Sequence, residues 1–254
     1  MSDALFRLDN QVALVTGGGR GLGRSFALAL AGAGADVVVV ARRAADLAET
    51  VAAVKAAGRR AVAVPGDVAD EATAPHAVEA ALREFGRLDI LVNNAGTYTM
   101  GDLETTSLED WRRVLDVNLV GTFLFCKAAG PTFKAQRRGK VVNISSVLGR
   151  LGVAGASAYC AAKGGVILFT RALGVEWAPH GIGVNAIAPG LFDTDMSRVV
   201  FENEDFYRTV LTGIPRGRHG KPEDLDGTLL YLCSSASDHM IGQVLHVDGG
   251  SSIA

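Results

Sequence analysis

Neither sign of charge dominates this chain of 254 residues: 25 Lys and Arg stand against 27 Asp and Glu, a formal net charge of −2. So weak a field cannot hold nucleic acid or an anionic bilayer, and small-molecule chemistry is the better starting point. Cysteine is scarce. Cys126, Cys160 and Cys233 are odd in number and contain no C-x-x-C pair, which argues against a disulfide framework and a zinc ribbon and fits a reducing cytoplasm. The five histidines, His76, His180, His219, His239 and His246, show no metal-ligand spacing, so no catalytic metal is expected. Hydrophobic residues make up 48% of the chain, yet no uninterrupted apolar run approaches the ~18 residues of a membrane span. Residues 1–10 lack a basic start with an apolar run behind it. These absences lead to the expectation of a soluble, untargeted, cytoplasmic protein with no membrane or nucleic-acid partner. What the chain has in excess is glycine, 31 residues, well above the usual ~7% and without a collagen-like period. Such an excess points to tight turns and to close backbone approach to a ligand.

Short β-branched runs alternate with longer stretches of helical period, the pattern of a parallel sheet with crossover helices. The runs at 12–15, 37–40, 61–64, 90–92, 141–144, 184–188 and 244–247 predict seven strands, most of them unalternating, as strands covered on both faces are. Helices are predicted between them over 21–33, 44–57, 71–85, 108–136, 157–178 and 222–234. The fold class is therefore α/β, a doubly wound sheet of seven parallel strands with helices on both faces. No repeat, low-complexity tract or linker-like shift in composition divides the chain, so one domain is expected over 1–254. The stretch 189–215 reads as one long irregular connection, and such connections are commonly lids or binding loops.

The first strand runs into Thr16-Gly17-Gly18-Gly19-Arg20-Gly21-Leu22-Gly23 and then into an apolar helix. A strand, a glycine turn and a helix N-terminus together present unpaired N–H groups and the positive end of a helix dipole to a pyrophosphate. Tyr159 and Lys163 lie four apart at the start of a predicted helix and so share a face. A tyrosine titrates near ~10 in water, while a general acid or base works best near the operating pH. A lysine at ~4 Å in an effective dielectric near 20 supplies roughly the 3–4 kcal/mol that such a shift requires, so acidification of Tyr159 by Lys163 is expected. Ser145 and Ser146 end the fifth strand, at the sheet edge where parallel α/β sheets bind ligands.

The G-x-x-x-G-x-G spacing, Asn93-Asn94-Ala95-Gly96 after the fourth strand, Ser146 and Tyr159-x-x-x-Lys163 together resemble the short-chain dehydrogenase/reductase family over almost the whole chain. Members of this size are single Rossmann-type domains, and the resemblance implies hydride transfer between a nicotinamide cofactor and a carbonyl or alcohol. It implies a relay in which Tyr159 exchanges the proton, Ser146 steadies the substrate oxygen, Lys163 tunes the tyrosine and grips the nicotinamide ribose, and Asn118 connects through water to solvent. It also carries cofactor contacts to Gly17, Arg20, Gly21, Leu22 and Gly23 at the phosphates, Asp67 and Val68 near the adenine, Asn94 and Gly96 beside the adenosine ribose, and Pro189, Gly190 and Thr194 at the carboxamide. Read singly, Asp67 after Gly66 is an ordinary turn residue and Pro189-Gly190 a common turn signal.

The acid expected at the end of the second strand to bind the ribose of NAD is replaced by Ala41, with Arg42 and Arg43 following. A guanidinium suits a phosphate, so Arg42, seconded by Arg20, favours the 2′-phosphate of NADP, with NAD the less favoured alternative. Substrate choice is expected in 97–103, 148–157 and 191–214, where Tyr98, Met100, Leu148, Leu151, Val153, Leu191 and Phe192 could form an apolar wall. The chain resembles both 3-oxoacyl-thioester reductases and gluconate or other sugar-acid dehydrogenases. Arg137 and Arg138 could meet an acidic carrier protein, but the stretch Trp177-Ala178-Pro179-His180 lacks a further arginine, and a free small ketone or hydroxy compound is preferred. Apolar residues on more than one face of 108–136 and 157–178, with the tail Val247-Asp248-Gly249-Gly250, imply a homotetramer by the same resemblance. Two rivals come from other classes. A non-catalytic NADP sensor would not need the tetrad, and a nucleotide-sugar epimerase or dehydratase would need a substrate domain for which too few residues follow Pro189.

Overall fold

The computed structural model describes residues 5–254. Its strands are β1 Val12–Thr16, β2 Asp36–Ala41, β3 Ala61–Pro65, β4 Ile90–Asn93, β5 Gly139–Ile144, β6 Ile182–Pro189 and β7 Val244–Val247. All pair in parallel, in the order β3-β2-β1-β4-β5-β6-β7. This is the doubly wound arrangement expected, with each strand within two residues of its predicted limits. The helices are α1 Gly21–Gly32, α2 Ala44–Ala56, α3 Thr73–Phe85, α4 Leu108–Leu115, α5 Gly121–Gln136, α6 Ser157–Trp177, α7 Arg198–Phe201, α8 Glu204–Thr212 and α9 Asp226–Cys233.

Successive strand residues point to opposite faces, and each face has its own core. Ala13, Val15, Val37 and Val39 pack with Phe26 and Leu30 of α1, Leu47 of α2 and Leu229 and Leu232 of α9. Val12, Leu14, Val38 and Val40 pack with Ala77 and Ala81 of α3, Phe125 and Phe133 of α5 and Trp177 of α6. Apolar burial on both sides explains why these strands do not alternate. A polar thread runs through the second layer. The Asn93 amide donates to Asn143 Oδ1 (2.9 Å), the Asn143 amide to Thr170 Oγ1 (2.9 Å), and the Thr170 hydroxyl to the Val166 carbonyl (2.7 Å).

Two connections differ from expectation. The predicted helix over 108–136 is interrupted by a π-turn at Asp116–Val120, between α4 and α5. By length and mean hydropathy Leu108–Gln136 could cross a membrane, but half of its most apolar window is buried inside the fold, as befits a crossover helix. The stretch 189–215 is not wholly irregular. It contains α7 and α8, and a β-bridge joins Phe192 to Gly220. The signal for α8 is visible in the chain: the Asn203 side chain caps Phe206 N at 2.9 Å, and Glu204 and Asp205 fill the acidic first turn.

The strand order reverses between β1 and β4, so the connections leaving these neighbours diverge and open a crevice at the C-terminal edge of the sheet.

Candidate active site

The C-terminal ends of β1, β2, β4, β5 and β6 carry the residues of the crevice. At β1, Thr16 Oγ1 accepts from the backbone N–H groups of Asn94 and Ala95, 3.0 Å each, and the Asn94 amide donates to the Thr16 carbonyl at 2.9 Å. Thr16 thereby locks the glycine turn to the end of β4. Sequence reasoning passed over Thr16, because a lone threonine ending a strand carries no signal of its own. Asn94, expected beside the ribose, has its amide nitrogen engaged by the turn.

The glycines of the turn have separate reasons. Gly17 and Gly21 adopt left-handed conformations, φ +65° and +52°, which a side chain would strain. A Cβ on Gly23 would lie 2.1 Å from the Gly17 carbonyl oxygen, so α1 can approach the turn only without one. A Cβ on Gly21 would meet nothing nearer than Thr194, at 3.7 Å across the crevice. The N-terminus of α1 has no side-chain cap, since Arg20 at the N-cap offers no acceptor, and its first N–H groups are left for a ligand. The turn therefore fits a pyrophosphate.

Arg42 follows β2, is exposed and has no ion pair among the described residues, whereas Arg43 is bound to Asp46. Ala41 leaves no carboxylate at the strand end. This donor set suits a 2′-phosphate better than a free ribose hydroxyl. Arg20, expected as a second phosphate cation, reaches instead across the crevice to Asp195, with Nη1 2.8 Å from the carboxylate. Asp67 uses one carboxylate oxygen to cap Ala69 N at 3.1 Å, the ordinary turn reading. The Val68 side chain is buried against Gly121 of α5, which leaves its backbone as the part able to face an adenine.

Tyr159 and Lys163 sit one turn apart in α6, and both are buried. The ammonium lies 5.6 Å from the centroid of the Tyr159 ring and donates to the Ile144 carbonyl at the end of β5, 2.8 Å away. The Ser146 hydroxyl accepts from Leu148 N at 3.1 Å and lies near enough to the phenol to favour its ionised form. Ser145 turns the other way, donating to the Lys163 carbonyl at 2.9 Å and so holding α6 to β5. Burial pushes the Tyr159 phenol up to about 12, against the opposing pull of the Ser146 hydroxyl, and pushes the Lys163 ammonium down to about 8. The acidified tyrosine expected from the Tyr-x-x-x-Lys spacing is therefore not produced by the protein's own groups. Loss of hydration outweighs an ammonium that points at a carbonyl and not at the phenol oxygen.

Asn118 stands in the π-turn, a geometry that recurs at functional sites. Its amide donates to the carbonyls of Val114 and Thr97, 2.8 Å each, so it both stabilises the interrupted helix and ties it to the loop after β4. Its Oδ1 is buried without a partner. A Cβ on Gly96 would lie 2.8 Å from that oxygen and 3.6 Å from Lys163 Nζ. An orphaned acceptor and an ammonium thus flank one spot that only glycine keeps open, and water could join them there.

Above this floor, the Tyr98 ring packs edge-on to Tyr159 with centroids 5.1 Å apart. Met196 of the 189–215 connection comes within 3.7 Å of the same Gly96 position. Tyr98, Leu148 and Leu151 are half-buried, and Met100 rests on Gly155. Phe192, expected in the apolar wall, is instead a core residue beneath Gly220. Gly190 follows β6 with its N–H on the Val247 carbonyl at 3.0 Å, and Thr194 is pinned by Ser197. A hollow of about 480 Å³ at the opposite edge of the sheet is lined by Arg59, Arg60 and Arg87. Those guanidiniums are paired with Asp36 and Asp89, and none of the groups described above faces it.

The family model described as enoyl-(acyl carrier protein) reductase matches residues 17–252. A 3-oxoacyl-[acyl-carrier-protein] reductase of Synechocystis sp. is 42% identical over 245 residues, 96% of this chain and 97% of that protein. A 2-dehydro-3-deoxy-D-gluconate 5-dehydrogenase of Escherichia coli is 41% identical over 246 residues, 96% of each. The crystal structure of a gluconate 5-dehydrogenase from Burkholderia cenocepacia, in complex with NADP and tartrate, superposes with a TM-score of 0.96 at 36% identity, covering 100% of both chains.

Proposed function

We propose that this chain, which belongs to the short-chain dehydrogenase/reductase family, is an NADP-dependent oxidoreductase acting on a small ketone or secondary alcohol. The observation that carries the reading is the convergence of Tyr159, Lys163, Ser146 and Asn118 beside an uncapped glycine turn, on one edge of the sheet. The bound dinucleotide supplies or accepts the hydride. Gly17, Gly21, Leu22 and Gly23 shape its phosphate site, joined by the donors of Arg20 that Asp195 leaves free, and Arg42 stands at the 2′-phosphate. Asp67, Val68, Asn94 and Gly96 line the adenosine half, and Pro189, Gly190 and Thr194 the nicotinamide half.

In the reducing direction the Tyr159 phenol, held protonated by burial, donates its proton to the substrate oxygen while the Ser146 hydroxyl steadies that oxygen. The ammonium of Lys163 holds the nicotinamide ribose, and the water spot it shares with Asn118 Oδ1 returns the proton from solvent. In the oxidising direction Tyr159 takes the proton up. Tyr98, Met100, Leu148, Leu151 and Met196 give the substrate a largely apolar enclosure, which favours a compact ketone or hydroxy compound.

One catalytic domain spans the chain and acts in the cytoplasm, without nucleic-acid or membrane partners, as a homotetramer. The relative from Synechocystis supports a second reading, reduction of 3-oxoacyl thioesters, with exposed Arg137 and Arg138 toward an acidic carrier. Ketones, sugar acids and acyl thioesters, followed at the absorbance of the reduced cofactor with both nicotinamides, decide between them. Turnover of free ketones or hydroxy acids with NADP(H) supports the first reading. Turnover confined to thioesters supports the second, and no turnover of any class by protein that binds NADPH would refute both.

A further inference from the structure

The ion pair between Arg20 and Asp195 joins residues 175 apart in the chain. Arg20 stands at the N-cap of α1, in the glycine turn, and Asp195 lies in the connection between β6 and α7. The pair therefore spans the mouth of the crevice where Gly21 and Thr194 face each other. Asp195 is anchored from its own side by Arg198, one turn further on. Thr194 is fixed by Ser197, whose hydroxyl is hydrogen-bonded to the carbonyls of Phe192 and Thr194. The carboxylate is thus presented by a pre-folded hook, and the arginine it meets belongs to the phosphate-binding turn.

Resting on the reading of this crevice as a dinucleotide site, we propose that Asp195 is a cofactor-retention residue. Its bridge to Arg20 straps the 189–215 connection over the pyrophosphate groove, and the bridge must open before the dinucleotide can leave. Asp195 touches neither substrate nor reacting atoms, so it is a positioning residue. Arg20 has five N–H donors and uses Nη1 on Asp195, so the strap leaves it donors for a phosphate. Because both side chains are partly exposed, 55% and 37%, the bridge is weak enough to open in each turnover and is screened by salt.

The test is the release rate of NADPH, read by stopped-flow displacement of its fluorescence from the full-length protein. Asp195→Asn is expected to release NADPH two- to fivefold faster at low salt, equivalent to about 0.4–1 kcal/mol at 1.4 kcal/mol per factor of ten. Asp195→Glu, which keeps the charge, restores a rate near that of the unmodified protein. Raising NaCl accelerates release from the unmodified protein more steeply than from Asp195→Asn. The rate of hydride transfer in a single turnover stays unchanged, which separates retention from chemistry. Equal release rates for the unmodified protein and Asp195→Asn, or equal salt slopes, overturn the strap. If Asp195→Asn fails to fold, salt-insensitive release from the unmodified protein overturns it alone. Failure of the unmodified protein to bind NADPH at all instead defeats the cofactor assignment, a distinguishable result.

Discussion

Tyr159 holds its proton across the physiological range because burial has removed the water that would solvate a phenolate. Its removal is the sharpest test of the relay. Tyr159→Phe keeps the ring that packs against Tyr98 and deletes the hydroxyl, so turnover should fall by at least about 10²-fold while NADPH affinity, read by fluorescence titration, stays within a few-fold. Lys163 titrates the other way. Its ammonium is lowered to about 8 by burial, so ketone reduction at saturating cofactor should be flat below pH 8 and decline above it as the charge disappears. The same shifts govern stability. A lysine depressed from its ordinary value of 10.5 weakens the fold at neutral pH by roughly 3 kcal/mol, and this loss is regained as pH rises from 8 toward 10.5. Tyr159, raised from 10.0 to about 12, stabilises fully below 10 and loses that contribution as pH climbs through 12. Urea midpoints measured between pH 7 and 10 should therefore rise. Arg42 is tested by specificity: Arg42→Asp places an acid near the expected 2′-phosphate and should lower the NADP-over-NAD ratio of kcat/KM by at least tenfold. Tyr159, Lys163 and Arg42 were legible as residue types at telling positions. The direction of the Tyr159 shift was not, because spacing along a helix does not reveal that the ammonium is spent on the Ile144 carbonyl.

Among the elements, the π-turn at Asp116–Val120 shows where pattern reading stops. Apolar periodicity carries through 108–136 without a break, so the sequence reads as a single helix, and the extra residue in the turn is set by Asn118 bonding to Val114 and Thr97. Asn118→Ala removes both donors and strands two carbonyls. It should cost about 1–3 kcal/mol, seen as a lower urea midpoint at an unchanged slope, together with slower turnover. The strands were legible nearly to the residue because their β-branched cores are bounded by glycine turns and helix starts. The 189–215 connection was less so, since α7 has only four residues and its bridge to Arg20 depends on a neighbour far away in the chain.

On the scale of the whole molecule, apolar side chains remain uncovered on α5, the π-turn and α6. Leu168 and Val175 of α6 are 65% and 75% exposed, and Phe123 of α5 and Val120 of the π-turn are exposed as well. Large apolar side chains left this exposed on helices are commonly covered by another copy. Light scattering should give about four times the chain mass of 26.4 kDa, and Leu168→Glu should shift the protein to smaller species. A mass of one chain at working concentration would refute the tetramer. The doubly wound topology was legible from the order of strands and helices alone, whereas assembly rests on which apolar residues the fold leaves outside.

The polar thread from Asn93 through Asn143 to Thr170 has a consequence for how the sheet is assembled. Asn93 and Asn143 are register partners on β4 and β5, and both side chains are buried. Sliding one strand past the other by a single residue would turn a carboxamide into the opposite, apolar layer and leave its companion without an acceptor. Hydrophobic strands as uniform as these tolerate many near-equivalent alignments. Two asparagines at the centre of the sheet make all but one of them expensive, and so act as a checkpoint against mispaired folding.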